Sequence, residues 1–481
     1  GEFKAKISLD ILKGAKKRTK AKYVVVTGIT PTHLGEGKTV TTIGLSMALN
    51  KAGSKAVACI RQPSLGPFFG IKGGGIGGGR SQVLPDDINM HLTGDIHAVG
   101  QAHNLCASFL DNHLFRGNRL GIDTDKIFWR RVMDVNDRPL RNVTIGVGGG
   151  TNGVERATGF DITAASEIMA ILALAGSYAD LRARIGRIVV ALTKAGKPVT
   201  TEDLKVAGAM AAILKDALKP NLVQTIENTP CLVHTGPFAN ITHGNSSIVA
   251  DQLAFTRADF VVTESGFGAD CGLEKFVNIK CRTSGLTPDA VVLVASIRAL
   301  KIHSNMYRMV MGKPLDSRIS RENTDAVEIG CANLEKQVEN CRLYNVPCVV
   351  VINKFPTDTA KEIAVVRQKA LEYGAFDCVV SDMHKNGSRG GMDLARTAMI
   401  ACQMKCTFSF LYPDEASITE KIETIAKKVY GAKDVRYEKA ALENIALYKK
   451  LGYSKLPICM AKTPLSLSHD PLLKGAPRDF T

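Results

Sequence analysis

The sequence contains no Cys-x-x-Cys pair, no apolar run long enough to cross a bilayer as a helix, and a single tryptophan, Trp129. Each absence removes a class of protein. Twelve cysteines without paired spacing support neither a zinc ribbon nor a disulfide framework; several (Cys59, Cys231, Cys348, Cys378) sit inside apolar runs and read as buried free thiols of a reducing compartment. The missing apolar run leaves no candidate membrane helix. Helix-turn-helix, RNA-recognition sheet and zinc-finger signatures are also missing, as are internal repeats and low-complexity tracts. The net charge of +16 therefore does not read as nucleic-acid binding, and the basic stretch at 13–22 reads as a solvated surface ahead of the first strand. The opening Gly-Glu-Phe-Lys-Ala-Lys has neither a starting Met nor a signal-like segment, which reads as a fragment whose targeting peptide, if one exists, lies outside the sequence. At 481 residues and 45% hydrophobic content, the chain is expected to be globular, with two to four domains.

What is present centres on residues 23–39, Tyr-Val-Val-Val-Thr-Gly-Ile-Thr-Pro-Thr-His-Leu-Gly-Glu-Gly-Lys-Thr. Val24, Val25 and Val26 form the unbroken apolar run of a strand covered on both faces. Gly35 and Gly37 let backbone N–H groups turn inward around an anion, Lys38 adds a positive charge, and the Thr39 hydroxyl is placed to ligate a phosphate-bound Mg²⁺. The segment reads as a phosphate-binding loop with one irregularity: Thr32 stands where the first glycine is usual. Arg61 ends the next strand, 55–60, at the position where α/β sheets hold ligands. Seven glycines fall within residues 70–79, beside Phe68 and Phe69, and read as an ordered loop that approaches another backbone or a ligand closely. His91, Asp95, His97, His103 and Cys106 match no standard zinc spacing and read as polar residues near the loop. The segment 231–247 reads as a strand feeding a loop rich in His, Asn and Ser, with His234 and His243 open to either a functional or a core reading.

Further apolar runs at 259–264, 290–295, 347–352 and 376–380 alternate with helical patterns. The clearest is Val327, Cys331, Leu334, Val338 and Cys341, spaced four and three. A helix is also expected over 161–185 and a loop over 304–323. This alternation argues for an α/β fold with a mainly parallel sheet.

Together these motifs resemble the formate–tetrahydrofolate ligase family. The resemblance rests on Thr-Pro-Thr-x-x-Gly-Glu-Gly-Lys-Thr at 30–39, Arg-x-Pro-Ser-x-Gly-Pro-x-Phe-Gly-Ile-Lys-Gly-Gly at 61–74, Leu-Thr-Gly-Asp-Ile-His at 92–97, Gly-Pro-Phe-Ala-Asn-Ile-Thr-His-Gly at 236–244, the segment 264–270, and Met-Ala-Lys-Thr at 460–463. It implies that ATP phosphorylates formate and that the amine at position 10 of tetrahydrofolate then attacks formyl phosphate. It implies a large P-loop-type domain over 1–300, an α/β domain contributing the folate site over 301–410, and a C-terminal domain over 411–481. Lys38, Arg61 and Thr39 are the implied catalytic residues, with Thr39 on Mg²⁺. Thr32, Gly35, Glu36, Gly37, Lys38, Thr39, Asn353 and Ser466 are implied for the nucleotide. Asp95, Phe267, Phe355, Pro356 and His384 are implied for folate, the ring stacking between aromatic side chains. The resemblance also allows a monovalent cation (K⁺ or NH₄⁺), a polyglutamylated folate, a homotetramer or dimer, and a cytoplasmic site, with neither nucleic acid nor membrane as partner. Four departures stand out: His384 where the family has Trp, Ser304 and Asn305 where it has a glycine pair, Arg80 where an aromatic closes the glycine run, and terminal segments that the sequence does not include. A P-loop switch ATPase and a catalytically weakened folate- or nucleotide-binding paralogue are the alternatives.

Overall fold

The computed structural model describes residues 4–14, 21–69, 75–307 and 315–481. Residues 15–20 of the basic stretch, 70–74 of the glycine run and 308–314 of the expected loop lie outside these. Seven parallel strands form the centre of the sheet: β1 (Lys22–Gly28), β2 (Ala56–Ile60), β3 (Pro230–Val233), β4 (Phe260–Glu264), β5 (Ala290–Ala295), β6 (Cys348–Asn353) and β7 (Asp377–Ser381), in the order β7-β6-β5-β1-β4-β2-β3. The mainly parallel α/β fold is therefore present as the apolar runs indicate. Beyond β3 the sheet continues antiparallel through Asn221–Thr225, Ser81–Leu84 and Gly77–Gly78, and Ala5–Lys6 also pairs with Asn221–Thr225.

Both faces of the parallel strands are covered, and β1 shows why its apolar run is unbroken. Val24 and Val26 enter one core, with Leu45, Ala48 and Leu49 of α1 (Lys38–Lys51) and with Leu394, Ala395 and Ala398. Tyr23 and Val25 point the other way, into the larger core shared with α2 (Asp95–Phe115), α3 (Ile248–Phe255) and α5 (Thr324–Arg342). Alternating side chains on one strand thus feed two layers. The spacing read for α5 holds: Val327, Cys331, Leu334, Val338 and Cys341 are all buried. Between them in the chain lies α4 (Ile297–His303), directly after β5.

Two expectations are refined. The segment 161–185 is not one helix: after a strand and a tight turn, it forms helices at Glu167–Leu174 and Tyr178–Gly186. The break falls at residues 175–177, where the Ser177 hydroxyl caps the second helix by accepting from the Asp180 N–H. Within the described part of 304–323, Ser317–Ser320 makes a 3₁₀ turn. Of the twelve cysteines ten are buried, with Cys406 exposed and Cys459 intermediate, and none is in a disulfide.

The last segment, from residue 452 onward, contains no helix or strand. Lysine ammonium groups caged by oxygen are among its anchors. Lys421 donates to the carbonyls of Asp414, Ser454 and Leu456. Lys462 lies 3.0 Å from Asp270 and donates to the carbonyls of Thr463 and Ser466.

Candidate functional site

The chain leaves β1 through Thr30 and enters α1 at Lys38, with α1 making no side-chain cap at its N-terminus. Its first N–H groups are therefore available to an anion. Gly35 and Gly37 have φ of +73° and +88°, the left-handed backbone the turn requires. At Gly37 a side chain would also collide with Asn353, whose Nδ2 donates to the Glu36 carbonyl at 3.0 Å. Thr32 has its own function in the loop: its N–H (2.6 Å) and hydroxyl (3.1 Å) both donate to Glu36 Oε1. The other Glu36 oxygen lies 3.7 Å from Lys38 Nζ. The loop is thus pre-folded around a buried carboxylate facing the lysine.

Across the sheet, β4 lies beside β1 with Glu264 in register with Val26. Glu264 is the residue the sequence reading leaves without a function. Its Oε2 accepts from the Thr39 hydroxyl at 2.7 Å, and its Oε1 stands 3.6 Å from Arg61 Nε. Arg61 Nη1 donates to the Pro237 carbonyl at 3.3 Å, and its Nε has no hydrogen-bond partner among the described residues. One carboxylate therefore joins the phosphate loop to the arginine. The available signal was an acid at the carboxyl end of a buried strand, which gains meaning only once that strand is known to neighbour β1.

Magnesium prefers hard oxygen ligands, few of them from protein. The Thr39 hydroxyl beside the Glu264 carboxylate fits that preference. No group of three or more His, Cys, Asp or Glu side chains suited to a metal occurs among the described residues.

The residues assigned to folate divide into two groups. Phe267 (φ +60°) lies in the loop leaving β4, Phe355 and Pro356 in the loop leaving β6, and His384 just past β7. All three loops share the carboxyl edge of the sheet with the phosphate loop. The Arg298 guanidinium lies 3.5 Å from the Phe355 ring centroid. His384 packs on the close of the glycine run: its carbonyl accepts from Arg80 N–H at 2.8 Å, and a side chain on Gly79 would collide with it. This is the close backbone approach the glycines imply, and it joins two of the departures, Arg80 and His384. A third, Asn305, has φ +63°, where asparagine tolerates what glycine adopts freely. Asp95 is placed differently. It opens α2 and is nearly buried, with Oδ1 2.5 Å from Lys6 Nζ and Oδ2 accepting from Asn221 at 2.8 Å; no described contact joins it to the other folate residues.

Ser466 is buried in the tail and reaches the loop through a chain of bonds: Lys462 holds its carbonyl and pairs with Asp270, Asp270 accepts from Gln337, and Gln337 donates to the Thr30 hydroxyl. Thr30 is held from two more sides. His303 Nε2 bonds its carbonyl at 2.8 Å, and Asn333 donates to its hydroxyl and to the Gly475 carbonyl. Burial lowers the His303 pKa to about 4, so the ring is neutral, with Nε2 donating to Thr30 and Nδ1 accepting from Gly475 N–H.

Three further histidines, His103, His234 and His243, separate clearly. His234 is a core histidine, bonded to Ser247 and to the Ala217 carbonyl and lowered by burial to about 4. His103 stacks on Trp129 at 3.9 Å, bonds the Arg130 carbonyl and is likewise lowered to about 4. His243 Nδ1 accepts from Asn245 N–H, while its buried Nε2 has no partner among the described residues.

The family model of formate–tetrahydrofolate ligase matches residues 1–481. The chain is 58% identical over 481 residues to the formate–tetrahydrofolate ligase of Roseiflexus castenholzii (strain DSM 13941 / HLO8), covering all of this chain and 85% of that protein. Its identity to the same-named proteins of Saccharopolyspora erythraea and Desulforamulus reducens is 56% over 482 residues and 54% over 481, again covering all of this chain and 85% of each relative.

Proposed function

The chain belongs to the formate–tetrahydrofolate ligase family, and on that premise we propose how its residues divide the work of joining formate to tetrahydrofolate with ATP. The observation that carries the reading is the run of contacts Lys38–Glu36–Thr32 and Thr39–Glu264–Arg61 around an uncapped helix terminus. Phosphoryl transfer asks for positioning and positive charge rather than a protein nucleophile. The N–H groups of residues 36–39 and Lys38 bind the phosphates, which replace Glu36 as the partner of the lysine, while the Gly35 N–H closes the turn on the Thr32 carbonyl. Asn353 fixes the loop from above through the Glu36 carbonyl. Arg61, held between Glu264 and Pro237, orients the formate carboxylate and retains the formyl phosphate made from it. Thr39, with Glu264 behind it, would hold Mg²⁺, which when bound offsets the phosphate charge. Ser466 closes the nucleotide side through the tail.

For folate, we assign the flat ring to the loops carrying Phe267, Phe355, Pro356 and His384. The imidazole of His384 offers a smaller stacking face than the indole typical of the family. Asp95 is kept as a folate residue only in so far as substrate can draw it from Lys6 and Asn221. The same reading includes K⁺ or NH₄⁺ as an activating cation, a homotetramer or dimer, and a cytoplasmic site; among the described residues no helix is long and apolar enough to cross a membrane.

The test is ADP release with ATP, Mg²⁺, formate, tetrahydrofolate and K⁺, omitting each in turn. Turnover that requires both formate and tetrahydrofolate is expected. ADP released with neither present would identify a switch ATPase, and nucleotide binding without turnover a weakened paralogue.

A further inference from the structure

Among the described residues, Lys280, Lys301 and Lys421 follow one rule for a buried lysine, and Lys275 departs from it. Lys280 pairs with Asp251 at 2.5 Å, Lys301 with Glu362 at 2.5 Å, and Lys421 is caged by three carbonyls. A desolvated ammonium needs such partners. Lys275 is as buried as any of them, yet among the described residues it forms no ion pair with a carboxylate. Its hydrogen-bond partner is the thiol of Cys271, at 3.1 Å. Cys271 is four residues earlier on the same wide-wound helical stretch, so the two side chains lie on one face. The neighbouring Glu274 favours the ammonium only through its charge, without a contact: burial pushes its own pKa to about 7, and one of its oxygens has no hydrogen-bond partner among the described residues.

The geometry points to Cys271 and Lys275 as an oxidation site that closes to a covalent N–O–S bridge, with dioxygen as the oxidant. In the balanced step, the ammonium, the thiol and one O₂ give Lys–NH–O–S–Cys, one water and one proton. One N–O bond, one O–S bond and the two O–H bonds of the water form, while the O=O bond, two N–H bonds and the S–H bond break. Nitrogen and sulfur each lose two electrons, and the two oxygen atoms take up the four. The neighbours favour this product over a free sulfur acid. Cys271 Sγ lies 3.9 Å from the Ala239 carbonyl and 3.8 Å from Asn240 Oδ1, oxygens that repel a sulfinate, whereas the bridge is neutral and points back to Lys275. Closing it removes a buried charge that has a thiol, and no carboxylate, as its hydrogen-bond partner.

Trypsin reads the bridge directly, because Lys275 is the only cleavage site between Arg257 and Lys280. Reduced, desalted protein is held in dioxygen-saturated buffer, digested and weighed. The expected product is the peptide 258–280, uncleaved at Lys275, with one oxygen gained and two hydrogens lost. Dithiothreitol should return it to peptides cut after Lys275, and Cys271→Ser and Lys275→Arg should each abolish it. Fragmentation of the wild-type peptide gives the same result without a variant, since no single backbone break between Cys271 and Lys275 can separate a closed ring. Cleavage retained after Lys275 with only added oxygen, a peptide joining Cys271 to Cys459, or no adduct at all would each overturn the assignment.

Discussion

At the scale of the residue, Glu264 matters because its two oxygens do different things. One receives the Thr39 hydroxyl and the other faces Arg61, so loss of its charge displaces a phosphate-loop side chain and an arginine together. Glu264→Gln should lower kcat roughly 10²-fold, the scale of a small misplacement of reacting groups. Arg61→Lys should cost a comparable factor, because an ammonium cannot make two contacts in one plane. Since both variants break one unit, the double variant should be barely worse than either single one. Steady-state kinetics on the three proteins decides this, and multiplicative losses would separate the residues. Glu264 also shows where sequence reading stops. Lys38, Thr39 and Arg61 announce themselves by motif and by position after a strand. An acid at the end of β4 becomes informative only through a neighbour 225 residues earlier in the chain. Asp95 is the reverse: its motif is legible, but its hydrogen bonds to Lys6 and Asn221 are not.

The parallel strands were legible as elements because a strand covered on both faces carries an unbroken apolar run, as at residues 24–26 of β1, 260–262 of β4, all of β5 and 348–352 of β6. The antiparallel edge was not, because Ser81–Leu84 and Asn221–Thr225 are short and only alternately buried, a pattern also found in loops. The phosphate loop depends on such an element boundary. Gly37→Ala would force an L-residue to φ +88°, costing roughly 1–2 kcal/mol, and would also drive a methyl group into Asn353. Nucleotide affinity, measured by calorimetry, should fall steeply in Gly37→Ala. It should recover only in part in Gly37→Ala/Asn353→Ala, where the clash is relieved but the backbone strain remains. Full recovery would show that the left-handed turn is dispensable.

For the whole molecule, the buried ionisable groups set how stability follows pH. His103, His234 and His303 are each lowered from 6.5 to about 4, so the folded state binds fewer protons than the unfolded state between those values. Their contribution, up to about 3 kcal/mol each, is complete above 6.5 and is lost as pH falls towards 4. Glu274 acts in the opposite sense: raised from 4.5 to about 7, it favours the folded state below 4.5 and loses that contribution as pH rises through 7. His243 is lowered with these histidines, and Asp134, Glu167 and Asp251 are raised like Glu274. With the histidines dominant the unfolding temperature should climb between pH 4.5 and 6.5, and a flat or falling profile in calorimetry would show that the raised carboxyls outweigh them. The tail offers a last consequence. Thr30 and Gly475 share Asn333 and His303, so the start of the phosphate loop and a segment without secondary structure are two ends of one linkage. Where the shared side chains couple the two ends, reciprocity makes the effect of nucleotide on tail docking equal to the effect of tail docking on nucleotide affinity. Saturating nucleotide should slow hydrogen exchange at the Gly475 amide, making the tail a remote gauge of whether the loop is occupied. Exchange there that is indifferent to nucleotide would mean the shared side chains hold the two ends independently.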